Sequence, residues 1–115
     1  MSDANRLLLD AALREFLKSI KDEYETNLYF QPPESIKLKY PCIIYEYSRP
    51  DIIYANNNPY NVAQRYDVTI IDKDPESEIV RKFYTFGPTV AYSTNLINDN
   101  LHHTVFTLYF NKSKE

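Results

Sequence analysis

The chain holds one glycine, Gly87, one cysteine, Cys42, one methionine and no tryptophan. A single glycine rules out the glycine-rich cradles that bind phosphate, so neither a dinucleotide fingerprint nor a P-loop can be written. It equally rules out the G-x-S-x-G nucleophile elbow, which needs a glycine on both sides of the serine. A single cysteine forbids an internal disulfide and a multi-cysteine zinc site. Cys42 is read as a small buried strand residue. No stretch approaches the roughly 20 apolar residues that cross a bilayer. The N-terminal residues also lack the basic, apolar and small-residue order of a signal peptide. Folding in the cytosol, with no membrane partner, is the expectation.

Basic residues are in short supply as well. Thirteen Lys and Arg face sixteen Asp and Glu, a formal charge of −3. A dedicated DNA binder needs clustered lysine and arginine to displace counterions from phosphate. A surface past which DNA merely slides is compatible with this charge, because stickiness there is a fault.

Tyrosine and proline are plentiful, at 11 and 7 residues. Tyrosine suits strands and interfaces, where its ring packs and its hydroxyl stays wet. The composition therefore favours a sheet protein that touches neighbours. Length favours one domain, expected over residues 1–110, with residues 111–115 as a loose tail.

Ser2 and Asp3 can cap and charge a first helix whose apolar stripe is Leu9, Leu13, Phe16, Leu17 and Ile20. Leu7, Leu8, Ala11 and Ala12 widen that stripe. Arg6, Asp10, Arg14, Glu15 and Lys18 hold the wet side. Residues 24–30 read as extended until Pro32-Pro33 stops them. Strand character begins at Ile36, where Lys37 and Lys39 guard a strand edge. A strand over residues 41–48 sets Cys42, Ile44 and Glu46 against Ile43, Tyr45 and Tyr47. Residues 49–61 form a polar loop whose Asn56-Asn57-Asn58-Pro59 favours a bend. The next strand, residues 62–72, pairs antiparallel with the previous one. Asp74-Pro75 reads as a helix cap and first position, with Glu76 and Glu78 in the first turn and Arg81 and Lys82 in the last. Ile79, Val80 and Phe83 are its buried side. Residues 89–97 and 103–110 supply two further strands. The fold class is α+β: a mostly antiparallel sheet of four to five strands packed against the N-terminal helix and a short second one.

Constellations that carry chemistry are weak. His102 and His103 point to opposite faces of a strand and have no partner ligands at usable spacing. The run Asp72, Asp74, Glu76 and Glu78 lacks the glycine turn and terminal glutamate of a calcium loop. Ile36 to Tyr40, and Arg81-Lys82-Phe83-Tyr84, mix charge with rings, but the acidic total disfavours a strand-binding groove. The expectation is no enzyme, no metal and no cofactor.

Five stretches in a fixed order carry a resemblance. They are Tyr40-Pro41-Cys42-Ile43-Ile44-Tyr45, Tyr54-Ala55-Asn56-Asn57, Arg65-Tyr66-Asp67-Val68-Thr69-Ile70-Ile71-Asp72, Asp74-Pro75-Glu76-Ser77-Glu78-Ile79, and residues 99–110. Together they resemble the tail terminators of long-tailed bacteriophages, also called tail completion or tail-to-head joining proteins. The likeness covers residues 30–110, while residues 84–98 depart from the group's pattern. It implies a homo-hexameric ring that caps the tail tube, ends tube polymerisation and joins the tail to the head. The implied partners are the tail tube protein and a head–tail connector or neck protein, with DNA passing through the lumen without specific binding. The implied location is the head-proximal end of the tail in the virion. Arg49, Asp51, Tyr54, Asn56, Asn57, Asn58 and Tyr60, in the polar loop, are the candidate subunit or tube interface. The competing readings are a head-completion (connector-stopper) protein of the neck and a small non-viral binding module.

Overall fold

Leucines at positions 9, 13 and 17 recur on one face of a helix, and that face sets how the chain packs. The computed structural model describes residues 2–48, 51–52, 62–87 and 89–110, with side chains in residues 5–48, 65–87 and 89–110. Helix α1 spans Ser2–Ile20. Leu9, Leu13 and Leu17 are fully buried beneath it, with Phe16 and Ile20 partly buried alongside. Leu7 and Leu8 do not join them. About 100° of rotation per residue carries both to the outer face, where each is at least half exposed. Arg6 and Asp10, expected on the wet side, instead lie half-buried on the helix flank.

A 3-10 turn, Asp22–Thr26, follows α1 and leads into β1, Leu28–Phe30. Only the second half of the stretch expected to be extended is therefore strand. Residues 31–41 contain no strand, so Lys37 and Lys39 sit in a loop rather than on a sheet edge. Strand β2 is Cys42–Tyr47, β3 the two residues Asp51–Ile52, and β4 Val62–Asp72. Helix α2 is Glu78–Phe83, and β5, Val90–Asn98, turns directly into β6, Leu101–Phe110.

The sheet order is β1-β2-β4-β6-β5, with β3 paired to β4 off this path. β1 runs parallel to β2, and every other pairing is antiparallel. The result is the expected α+β fold, five strands with both helices on one face. Alternation along each strand divides its residues. Ile43 and Tyr45 of β2, Tyr66, Val68 and Ile70 of β4, and Phe106 and Leu108 of β6 face the helices and are buried. Register aligns them in rows such as Tyr45–Val68–Phe106.

The second helix starts later than Asp74-Pro75 suggests. Its cap is Ser77, whose hydroxyl accepts the Val80 amide at 3.3 Å. Asp74 closes a local turn instead, its carboxylate accepting the Glu76 amide at 2.9 Å. An aspartate that bonds two residues ahead bends the chain before a helix can nucleate. Ile79 and Phe83 are buried as expected. Phe83 sits within 4.9 to 5.5 Å, centroid to centroid, of Phe106, Phe86 and Phe16, joining α2 to both α1 and β6.

Candidate functional site

Most of the interface residues named from sequence, Arg49, Tyr54, Asn56, Asn57, Asn58 and Tyr60, lie outside the described residues. Asp51 belongs to β3, where its backbone pairs with Ala63 of β4. The described residues instead contain three features with functional potential: a hollow, an open sheet edge and a polar cluster under α1.

The hollow forms where β4 and β6 end beside α2, and its volume is about 380 Å³. Asp72 and His102 are cross-strand partners at its floor, with Thr104 one step further along the same face. Asp74, Pro75 and Glu76 form one wall, and Val80, Arg81 and Tyr84 of the α2 region form the other. Three members of the acidic run that sequence singled out, Asp72, Asp74 and Glu76, thus converge with His102, while Glu78 pairs with Lys82 at 3.0 Å and His103 points to the opposite face. Two of these carboxylates already have structural work. Asp72 accepts the Asp74 amide at 3.0 Å, and Asp74 accepts the Glu76 amide. Among the described residues, no three His, Cys, Asp or Glu side chains gather closely enough to hold a metal ion. A second, more polar hollow of about 530 Å³ lies between the 3-10 turn and the loop at Leu38, Lys39 and Tyr40, with Lys73 on its rim.

The open edge is β5. Eight of its nine residues are exposed, and no strand covers its outer side among the described residues. Residues 84–98 carry no charged side chain, although a quarter of the chain is charged. Tyr84, Tyr92, Leu96 and Ile97 are large apolar side chains left in solvent here. Natural sheets commonly blunt such an edge with lysine or proline. The described strand carries neither lysine nor proline, and its ladder shows a register irregularity between Tyr92 and Thr94. Sequence reasoning treated residues 89–97 as an ordinary strand, and the signal it missed was the absence of charge. It missed the hairpin too. Asp99 and Asn100 take φ of 55° and 62°, the pair of left-handed residues that a two-residue turn requires.

Beneath α1, Tyr45 is fully buried. It donates to Asp10 Oδ2 at 2.5 Å, and Arg6 Nη1 donates to it at 3.4 Å. Asp10 also receives Arg14 Nε at 2.7 Å. Burial pushes the Tyr45 phenol well above its ordinary range, and its bond to Asp10 raises it further. Asn5 Nδ2 donates to the Tyr66 hydroxyl at 3.2 Å and to the Phe110 carbonyl at 3.0 Å, tying the start of α1 to the sheet. The Arg6 guanidinium lies 4.4 Å over the Phe30 ring. These bonds pin a helix. None joins a nucleophile to a base in an accessible cleft, the arrangement that covalent catalysis requires. Cys42 is buried, and its thiol is pushed up to about 12 by desolvation, with Asp72 adding to the shift.

No protein-family model matches the chain, and no curated protein matches it significantly. None of the described helices is long and apolar enough to cross a membrane.

Proposed function

We propose that the chain is a non-catalytic structural subunit of a bacteriophage virion, a tail terminator that caps the tail tube as a ring and joins the tail to the head. The observation that carries this reading is a subunit that leaves two sets of apolar side chains exposed, one on α1 and one around β5. Leu7 and Leu8 are exposed on the outer face of α1, while Tyr84, Tyr92, Leu96 and Ile97 are exposed around β5. Exposed apolar side chains gathered in patches mark association surfaces. A head-to-tail ring needs two different patches on each subunit. The resemblance supplies the virion context. Three of the stretches that carry it pack together, as β4 and β6 pair along most of their length and residues 74–79 close over their end. A lumen that conducts DNA must not grip phosphate, and the net charge of −3 suits that demand.

The test mixes the purified protein with its tail tube subunit and follows native mass and electron micrographs. Rings seated on tube ends are expected. A phage lacking the gene is expected to leave filled heads without tails and tubes of irregular length. Normal particles from that phage sink the proposal. Localisation to the neck, away from tube protein, replaces it with the connector-stopper reading.

A further inference from the structure

We infer that, in solution, the free protein pairs with a second copy of itself, β5 against β5, about a two-fold axis at Leu96. This inference does not rest on the virion reading, only on the geometry of the sheet edge.

Asn98 and Leu101 flank a two-residue hairpin turn, so they form the hydrogen-bonded pair that closes it. Hydrogen-bonded and non-bonded pairs alternate along an antiparallel ladder. Leu96 and Thr94 therefore direct their backbone groups inward to β6, and Asn95 and Ile97 direct theirs outward at the open edge. An incoming antiparallel strand must meet those two residues. If that strand is a second β5, Asn95 pairs with the copy's Ile97, and Ile97 with the copy's Asn95. Leu96 then falls opposite its own copy, in a non-bonded pair whose side chains approach closely. The register irregularity between Tyr92 and Thr94 lies beyond this segment, which leaves Thr94 to Asn98 regular.

Three observations favour a second copy as the occupant. The strand carries no charge, so a strand meeting its own copy brings no like-charge repulsion. The pairing is equal in length by symmetry, whereas the opposite sheet edge, β1, is only three residues long. The side chains on offer also match a weak pair in area. Leu96 and Ile97 are 51% and 68% exposed, and Tyr84 and Tyr92 about half. Only Leu96 and Ile97 lie within the paired segment, and at about 100 Å² each they give about 400 Å² over two copies, well below the roughly 1,000 Å² expected of a stable interface.

The full chain tests this by sedimentation velocity from about 5 to 500 µM. The mass is expected to climb from 13.6 kDa toward twice that value. Leu96→Lys sets two charges face to face at the axis, and it is expected to stay monomeric with an unchanged circular dichroism spectrum. Leu96→Cys provides a readout that does not depend on loss of binding. Two cysteines at a non-bonded pair fall within the Cα separation a disulfide accepts, and buried Cys42 does not compete. Under a mild oxidant it is expected to form covalent dimer at least about tenfold faster than Leu7→Cys on α1. A wild-type chain still monomeric at the top concentration overturns the inference. Association that survives Leu96→Lys, or equal cross-linking by the two cysteine variants, does the same. Rings on tail tubes together with any of those outcomes would remove the β5 pairing and leave the virion reading intact.

Discussion

Tyr45→Phe and Asp10→Ala, made singly and together, test whether the polar cluster under α1 holds the helix to the sheet. Tyr45 donates to Asp10 Oδ2 at 2.5 Å, and Arg14 holds the other carboxylate oxygen at 2.7 Å. A hydrogen bond to a charged group contributes about 1.5–3 kcal/mol. The Asp10 side chain is 18% exposed, so water can reach the carboxylate once the phenol is gone. Tyr45→Phe is therefore expected at the low end, about 1.5 kcal/mol. Asp10→Ala strips the buried hydroxyl of its acceptor and Arg14 of its pair, and about 2 kcal/mol is expected. The double variant should fall short of the sum by about 1–1.5 kcal/mol, because both changes delete one bond. Urea denaturation measures each value, with the midpoint shifting and the slope unchanged. A coupling below about 0.5 kcal/mol refutes the argument. The same cluster sets an alkaline limb. Burial raises the Tyr45 phenol first, with Asp10 adding to it, and burial raises Tyr66. A folded value above the unfolded one gives stability that is complete below pH about 10 and lost as pH climbs beyond it. Tyr45→Phe should make that loss shallower.

Phe83→Ala should cost about 3–5 kcal/mol in the same assay, since it removes the ring that joins α1, α2 and β6. A loss under about 1 kcal/mol would mean that α2 is not part of the core. Ser77→Ala should cost about 1 kcal/mol through the lost cap, and more than Asp74→Ala, whose bond closes an exposed turn. The reverse ranking would move the start of α2 back to Asp74. Cys42 should react with a thiol reagent only at the rate of unfolding, because it is buried and its thiol is raised to about 12. Complete labelling within seconds under native conditions contradicts that placement.

Much of this architecture was legible in the residues. The spacing of Leu9, Leu13 and Leu17 foretold the buried face of α1, and the alternation through Tyr66, Val68 and Ile70 foretold β4 and its partner β2. The start of α2 was misplaced because Asp74 and Ser77 are both competent caps, and local preference does not rank them. The hollow was only half legible. Its acidic run was visible, but nothing in sequence places Asp72 across from His102, thirty residues later. The open edge was not recognised, since a strand looks the same on paper whether or not a neighbour lies beyond it.

The sequence by itself determined the long elements, α1, β2, β4 and β6, because helical and strand periodicities are properties of neighbouring residues. One glycine and one cysteine likewise removed whole classes of site without any coordinates. Only the tertiary structure decided which apolar residues are core and which are surface. Leu7 and Leu9 are chemically alike, yet helix rotation sends one to solvent and the other beneath α1. Leu96 and Leu108 differ for another reason. Leu108 lies on a central strand beneath the helices, and Leu96 lies on an edge that the chain leaves open. Burial depends on what the rest of the chain brings alongside, and that is a property of the whole fold.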